Sequence, residues 1–117
     1  MKLIYVAGPY RGKNSWAVEQ NIRYAEEVGF ELAELGAVPV IPHSMYRYFD
    51  RTLTDEFWLA GAIELMRRCD AVVLVDNWRT SSGSIMERDR AEELGLPVFE
   101  WEAADGEPLA KFILGVA

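Results

Sequence analysis

Glu87 is the residue of this sequence whose setting most favours chemistry. It lies in the stretch NWRTSSGSIMERDRAEELG (77–95), where small polar residues lead into a helix predicted from about Gly83 to Leu94. At roughly 100° per residue, Glu87 shares a helix face with Gly83, Ala91 and Leu94, while the other acids of the helix take the remaining faces. We therefore expect the Glu87 side chain to point inward. An inward carboxylate is unfavourable unless it is paired or used, so Glu87 is a candidate functional residue.

A purely structural role for Glu87 is also open at this point. Ser84 and Glu87 spell Ser-x-x-Glu, the capping box in which serine and glutamate side chains accept hydrogen bonds from backbone N–H groups at a helix start. Such a cap stabilises a helix by about 1 kcal/mol. Helix geometry favours the inward, functional interpretation over the capping box.

The segment AGPYRGKN (7–14) is a candidate for anion binding. Gly8 and Gly12 let the backbone approach a ligand, and Arg11 supplies a forked cation beside a predicted helix start. The segment lacks the third glycine of the dinucleotide fingerprint, and it is not a phosphate-binding P-loop. A tight turn with an exposed arginine is the alternative interpretation.

Two further polar residues lie where neighbouring strands would bring them near Glu87. His43 is the only histidine and follows a predicted strand, so it is either a functional group or a histidine satisfied within the fold. Tyr5 lies inside an apolar run, where it is expected to pack in the core with its hydroxyl on a nearby acceptor. An inward acid at the end of that strand would be such an acceptor.

Composition excludes several classes of function. A net charge of −7 argues against a broad nucleic-acid-binding face, which needs clustered lysine and arginine. One cysteine, Cys69, excludes an internal disulfide framework, and no His or Cys spacing of a metal site is present. No apolar run has the roughly 20 residues of a membrane span. We expect a cytoplasmic protein that binds neither membranes nor a metal ion.

Short apolar runs alternate with helical segments along the chain. The predicted strands are LIYVA (3–7), AVPVIPH (37–43), AVVLV (71–75) and PVFEW (97–101). The predicted helices run from Ser15 to about Leu35, from the N-cap Thr54 to about Arg68, from about Gly83 to Leu94, and from about Glu107 to Leu114. Prolines in the second strand indicate an edge position.

This alternation predicts an α/β fold built from right-handed βαβ units. We expect one Rossmann-like, flavodoxin-like domain over residues 1–117, with three layers and a parallel sheet of four to five strands. In such sheets ligands bind beyond the carboxyl ends of the strands. The loops expected to hold the site are 8–14, 42–55, 76–83 and 101–106.

An ordered set of segments resembles a known family. The segments are KLIYVAGPYRG, VIPH, CDAVVLV and NWRTSSGSIMERDRAEELGLPVF, which together cover most of the chain. They resemble the nucleoside 2-deoxyribosyltransferase-like superfamily, and they are similar to the 2'-deoxynucleoside 5'-monophosphate N-glycosidases within it. The resemblance implies cleavage or transfer at the N-glycosidic bond of a small nucleoside or nucleotide, without a cofactor.

The resemblance also implies roles for individual residues. Glu87 matches the family's nucleophile, in a Gly-x-x-x-Glu frame that begins at Gly83, and Tyr5 matches a tyrosine that hydrogen-bonds it. Arg11, Gly12 and Ser81 match residues that hold the 5'-phosphate, and His43 matches a histidine near the nucleotide. Further candidates for this side of the site are Gly8, Ser82 and Gly83. The candidates for base or sugar contacts are Tyr10, Tyr46, Asp55, Trp58 and Trp78.

One departure from the family concerns an aspartate that it usually has on the helix predicted here from Thr54 to about Arg68. Ala62 occupies that place, and Asp55 or Asp50 is a candidate to replace it. A non-catalytic nucleotide-binding module and an enzyme for a modified nucleotide therefore stay as alternatives. The resemblance further implies a homodimer or larger homo-oligomer. A second apolar stripe of Tyr24, Val28 and Leu35 on the first helix is either a surface for that purpose or ordinary helix packing.

Overall fold

Four parallel strands form one sheet in the computed structural model, which describes residues 1–49, 51–101 and 105–115. The strands are β1 (Leu3–Ala7), β2 (Val38–Val40), β3 (Ala71–Leu74) and β4 (Val98–Glu100). Their order is β2-β1-β3-β4, which places the proline-containing β2 at an edge, as predicted. The predicted α/β class with a parallel sheet of four to five strands is confirmed.

Helices connect the strands close to the predicted positions. They are α1 (Ser15–Glu34), α2 (Pro42–Met45), α3 (Asp55–Arg67), α4 (Ser82–Glu93) and α5 (Gly106–Leu114), with a short 3-10 turn over Trp78–Thr80. Thr54 caps α3 as predicted, since its hydroxyl accepts from the Phe57 N–H at 3.1 Å. None of the helices in the described ranges is long and apolar enough to cross a membrane.

The strands direct alternate side chains to two different apolar layers. On one face the buried cluster consists of Ile4, Val6, Ala25, Val28, Leu32, Ala37, Ala71, Val73, Val75, Leu109 and Ile113, from the strands, α1 and α5. On the other face it consists of Tyr5, Ala7, Ala62, Met66, Cys69, Val72, Leu74, Trp78 and Ala91, which brings in α3 and α4. Period-2 alternation along β1 therefore sends Tyr5 towards the helix that carries Glu87.

The predicted second apolar stripe on α1 does not form a free surface. Val28 is fully buried in the core, and Tyr24 packs against that core while its hydroxyl donates to Asp76 Oδ1 at 2.5 Å. Leu35 is 38% exposed at the helix end. The stripe therefore packs α1 on the sheet, which agrees with the second interpretation, ordinary helix packing; the oligomeric state stays a prediction.

Candidate functional site

A cavity of about 530 Å³ lies where the carboxyl ends of β1 and β2 meet the start of α4. Parallel strands all end at this edge, so the loops that follow them converge there. The side chains and backbone that line it come from Tyr5, Gly8, Tyr10, Arg11, Pro42, His43, Tyr46, Phe49, Asp55, Trp58, Leu59, Ala62, Ser81, Ser82, Gly83, Ser84, Met86 and Glu87. All but two of the predicted site residues, Gly12 and Trp78, are in this set.

The Tyr5 hydroxyl donates a hydrogen bond to Glu87 Oε2 at the cavity wall. Tyr5 is fully buried on the α4 side of β1, and Glu87 is partly buried in the second turn of α4. The inward direction of Glu87 and its contact with Tyr5 are confirmed. The two side chains lie 82 positions apart in sequence and are brought together by the β1 alternation and the α4 face.

The surroundings of the Tyr5–Glu87 pair raise the pKa values of both side chains. Burial raises the pKa of the Glu87 carboxyl to about 7, although the hydrogen bond from Tyr5 acts to lower it. Burial and the adjacent Glu87 carboxylate raise the pKa of the Tyr5 hydroxyl well above its ordinary value. Tyr5 therefore remains a donor at every physiological pH, and Glu87 changes charge near neutrality.

The start of α4 excludes the capping box. Helix α4 begins at Ser82, and Ser81 is its N-cap, with its hydroxyl accepting from the Ser84 N–H at 3.2 Å. Ser84 therefore lies within the first turn, and Glu87 is too far along the helix to reach the N-cap backbone. The Ser84 hydroxyl is buried and has no hydrogen-bond partner among the described residues.

His43 lies in the short helix α2 at the back of the cavity. Its Nε2 is 3.0 Å from the carbonyl oxygen of Gly8 and 3.0 Å from that of Pro9, so the side chain holds the loop after β1. The close approach of this loop to β3 requires Gly8, because a Cβ there would lie 2.4 Å from Val75 Cγ2. Burial lowers the pKa of the His43 imidazole, while the two carbonyl hydrogen bonds act to raise it.

The mouth of the cavity carries charge. Arg11 Nη2 is 2.8 Å from Asp55 Oδ1, and both side chains are well exposed, at 65% and 77%. Beside them the first residues of α4, from Ser82 onward, present the positive end of a helix. Gly12 is behind this region, where a Cβ would lie 2.6 Å from the Ala17 Cβ, so its role in the structure is to let the loop contact α1.

An aromatic wall covers the side of the cavity formed by α3. The ring of Trp58 is 5.0 Å from that of Tyr46 and 5.5 Å from that of Phe49, measured between centroids. Trp58 Nε1 donates to the Thr52 carbonyl at 2.7 Å, which holds the ring in place. Ala62 lies on the same wall and presents a methyl group to the cavity.

Trp78 is not available for stacking on a ligand. It is 5% exposed, it packs in the core layer below α4, and its Nε1 donates to Glu100 Oε1 at 3.0 Å. The sequence predicted a loop at this position, but the 3-10 turn over Trp78–Thr80 folds the indole back onto the sheet. Trp78 therefore supports the fold next to the site.

The sequence also left some lining residues unrecognised. Ser84 was interpreted as part of a cap, although its i, i+3 spacing from Glu87 placed both on one helix face. Phe49, Leu59 and Met86 also line the cavity, but nothing in the sequence pattern marked these apolar residues as part of a site.

Asp50, the other candidate to replace the missing aspartate, lies outside the described residues. Within the described ranges, no three His, Cys, Asp or Glu side chains come together as a metal site.

Comparison with known proteins identifies a family. The model of a family described as a domain of unknown function, DUF7768, matches residues 2–101. The chain belongs to this family. A search of curated proteins finds no match. The matched residues include all four strands and the residues that line the cavity, but the description of the family names no activity.

Solved structures with the same fold carry a more specific description. A 2-deoxyribosyltransferase from Bacillus psychrosaccharolyticus is 22% identical with a TM-score of 0.61, over 84% of this chain and 70% of that protein. A 2-deoxyribosyltransferase from Leishmania mexicana is 24% identical with a TM-score of 0.62, over 86% of this chain and 63% of that protein. The nucleoside 2-deoxyribosyltransferase-like fold implied by the resemblance is confirmed.

Proposed function

We propose that this protein cleaves the N-glycosidic bond of a deoxynucleoside or of its 5'-monophosphate, with Glu87 as nucleophile. The observation that carries the proposal is the Tyr5–Glu87 pair at the wall of a cavity of about 530 Å³. A partly buried carboxylate that faces an open cavity and is oriented by a buried donor has the features of an activated nucleophile. The two fold relatives are themselves named as 2-deoxyribosyltransferases, which supports this class of reaction.

In the first step, the Glu87 carboxylate attacks the anomeric carbon of the sugar. A carbon–oxygen bond forms, the carbon–nitrogen bond breaks, and its electron pair leaves with the base, which takes up a proton. The transition state resembles an oxocarbenium ion, which a nearby carboxylate stabilises. Tyr5 holds one carboxylate oxygen, which fixes the direction of the other and favours the ionised form.

In the second step, an acceptor attacks the same carbon and breaks the ester to Glu87. Water as acceptor gives the free sugar and a proton, which is hydrolysis. A second base as acceptor gives a new nucleoside, which is transfer. Both outcomes return the electron pair to the Glu87 carboxylate, so the residue ends the cycle unchanged.

The rest of the cavity suits the two ends of such a substrate. Arg11 and the start of α4 offer a cation and a helix N-terminus for a 5'-phosphate. The wall of Tyr46, Phe49 and Trp58 offers aromatic surface for a base. We expect the phosphate at the charged mouth and the base against this wall, with the sugar over Glu87.

The test measures release of free base by chromatography. The protein is incubated with each of the common 2'-deoxynucleosides and their 5'-monophosphates, with and without a second base. We expect release from at least one substrate and a loss of at least about a thousandfold in Glu87→Gln, because the amide cannot form the ester. Base release at an unchanged rate in Glu87→Gln would eliminate Glu87 as the nucleophile.

Ala62 favours a second candidate, a nucleotide-binding module without catalysis. The resembling family has an aspartate at this place, whereas Ala62 gives this cavity wall a methyl group. Under this alternative, nucleotides bind but no base is released from any of them. Ala62→Asp then serves as the matched variant, since a restored carboxylate at this wall would be expected to raise base release and not merely affinity.

A further inference from the structure

The proposed reaction places a requirement on the leaving base. When the bond between the sugar and a neutral base breaks, the base keeps both electrons and becomes an anion unless an acid protonates it. Enzymes therefore position a proton donor beside such a leaving group, commonly a carboxylic acid or an imidazole. A base that already carries a positive charge leaves as a neutral molecule and needs no acid.

The carboxyl groups of the cavity are committed to other roles. Among the described residues of the lining, these groups belong to Glu87 and Asp55. Glu87 attacks as a carboxylate, so it has no proton to give in the same step. The Asp55 carboxylate is at the exposed mouth, where it accepts a hydrogen bond from Arg11 Nη2 at 2.8 Å. Ala62, on the wall formed by α3, adds only a methyl group.

His43, the one imidazole of the sequence, is committed as well. Its Nε2 is 3.0 Å from the carbonyl oxygens of Gly8 and Pro9, which accept the hydrogen on that nitrogen. Burial lowers the pKa of His43, so the ring is neutral at physiological pH and its second nitrogen carries no proton. Within the described part of the lining, no carboxylic acid or imidazole is therefore placed to protonate a departing base.

The wall of Tyr46, Phe49 and Trp58 suits a positively charged base. The rings of Tyr46 and Phe49 pack against Trp58 at centroid distances of 5.0 Å and 5.5 Å. The indole N–H donates to the Thr52 carbonyl, so the polar edge of Trp58 is occupied by the protein itself. Aromatic ring faces attract cations, and tryptophan does so most strongly. The lining also holds two carboxyl groups against one guanidinium, so its formal charge is negative when Glu87 is ionised.

We propose that the substrate carries a cationic base, an N-alkylated purine or a pyridinium joined to the sugar through its ring nitrogen. The inference rests on the proposed function and names its leaving group. The Glu87 carboxylate bonds to the anomeric carbon, the carbon–nitrogen bond breaks, and its electron pair cancels the charge of the base. Water then cleaves the ester to Glu87: its oxygen joins the sugar and a proton passes to solvent.

The first experiment compares 7-methyl-2'-deoxyguanosine 5'-monophosphate, whose base is cationic, with 2'-deoxyguanosine 5'-monophosphate near pH 6.5. Base release is measured by chromatography with and without the protein, because the methylated compound also loses its base faster in water. If the protein supplies no acid, the catalysed rates of the two compounds differ by at least as much as the spontaneous rates. A catalysed ratio more than about tenfold smaller than the spontaneous ratio would reveal an acid and overturn the inference.

This ratio responds to an acid from any part of the chain, including Asp50, which lies outside the described residues. The same assay with the 2'-deoxyribosyl 5'-monophosphate of 3-carbamoylpyridinium distinguishes the two kinds of cationic ring. Base release from one or both cationic compounds supports the inference and identifies the ring. Release from 2'-deoxyguanosine 5'-monophosphate but from neither cationic compound overturns it.

The second experiment tests the aromatic wall with Trp58→Leu. The positive charge leaves the base as the bond breaks, so the wall binds the reactant more tightly than the transition state. We expect KM for the cleaved cationic compound to rise about tenfold, with kcat almost unchanged. The affinity of the neutral parent, measured as an inhibition constant where it is not cleaved, should fall less. Equal losses of affinity for the cationic and neutral compounds would overturn the inference.

Phe57→Leu is the matched control for this variant. The Phe57 ring packs edge-on against Trp58 at 5.1 Å but does not line the cavity. We expect Phe57→Leu to leave KM for the cationic compound within about twofold of wild type. A rise as large as that in Trp58→Leu would assign the effect to packing of α3 and remove the support of the wall for a cationic base.

The proposed function and this inference fail in distinguishable ways. Base release from neutral deoxynucleotides with a narrowed ratio keeps the proposed function and removes the cationic base. Release from a cationic compound that persists in Glu87→Gln removes the nucleophile and keeps the class of leaving group. If no compound of either kind loses its base, both proposals fall.

Discussion

At the scale of single residues, the charge state of Glu87 decides whether the proposed reaction runs. The pKa of its carboxyl is raised to about 7 by burial, and only the ionised form can attack. We therefore predict that kcat/KM rises with pH through a midpoint near 7 and levels off above it. An ordinary glutamate would already be ionised at pH 6, so a flat profile between pH 5.5 and 8 would contradict this prediction.

Tyr5→Phe provides the matched control for that profile. The hydrogen bond from Tyr5 acts to lower the pKa of Glu87, so removing the hydroxyl should move the midpoint to higher pH. We expect lower activity at pH 7 with partial recovery at higher pH. A reduced rate with the midpoint unmoved would mean that Tyr5 orients the carboxylate without affecting its charge.

Arg11 and Asp55 test how the substrate's phosphate is bound. Their ion pair is exposed at the cavity mouth, so a phosphate would compete with Asp55 for the guanidinium. We predict that Arg11→Ala raises KM for a 5'-monophosphate by about tenfold more than for the free nucleoside. Asp55→Asn should leave or improve the KM for the monophosphate. A loss of nucleoside binding in Asp55→Asn would instead assign Asp55 to the sugar.

The direction of a single side chain could be predicted from the sequence where a regular helix or strand determines it. The α4 face and the alternation along β1 were sufficient to predict that Glu87 points inward and that Tyr5 can reach it. Side chains in loops were harder, because their direction depends on contacts far away in sequence. Trp78 donates a hydrogen bond to Glu100, and Arg11 forms an ion pair with Asp55, which lies 44 positions further along the chain. No local sequence pattern encodes either contact.

At the scale of elements, the N-cap Ser81 and the first-turn residue Ser84 at the start of α4 have opposite consequences for stability. Ser81 caps the helix, whereas the Ser84 hydroxyl is buried without a partner among the described residues. We predict that Ser81→Ala lowers the free energy of unfolding by about 1 kcal/mol. Ser84→Ala should leave it equal or raise it by up to about 1 kcal/mol, because it removes an unsatisfied hydroxyl and favours the helix.

Urea denaturation of the two variants measures both effects. A Ser84→Ala protein destabilised as much as Ser81→Ala would mean that the Ser84 hydroxyl has a partner in solution. A binding measurement with substrate tests whether the Ser84 hydroxyl also contacts a ligand. If it does, Ser84→Ala weakens binding although the protein itself is no less stable.

The major elements were predictable because each has its own signal. Continuous apolar runs marked the strands, and helical periodicity with the caps Thr54 and Gly36 marked the ends of long helices. The short α2 and the 3-10 turn were missed. Segments of four and three residues are too short to show periodicity, and they form only because the loops around the cavity close over the sheet.

At the scale of the whole molecule, the fold places a destabilising acid at its functional edge. The pKa of Glu87 is about 7 in the folded protein against an ordinary value of 4.5. Between these values the folded state binds a proton that the unfolded state has released, so stability falls as pH rises through this window. Well above pH 7 the buried charge lowers the free energy of unfolding by a constant amount of about 3 kcal/mol, since each pKa unit corresponds to about 1.4 kcal/mol.

His43 acts in the opposite direction over part of the same window. Its lowered pKa means that the unfolded state takes up a proton first as pH falls below about 6.5, so its contribution favours folding as pH rises. The carboxyl groups of Glu19 and Glu64, whose pKa values are lowered by arginine neighbours, affect stability below pH 4.5, outside the window. The wild-type curve alone therefore mixes two opposing terms between pH 4.5 and 6.5.

Comparison of wild type with Glu87→Gln isolates the carboxyl. Both proteins keep His43, so its contribution cancels in the difference. We predict that Glu87→Gln is close to wild type in stability near pH 5 and more stable by about 3 kcal/mol at pH 8, measured by urea denaturation at each pH. The same variant should be inactive, because the charge that weakens the fold is the one the proposed reaction needs. A difference in stability that does not change with pH would place the Glu87 carboxylate in solvent, and the proposed nucleophile would lose the buried setting on which its activation depends.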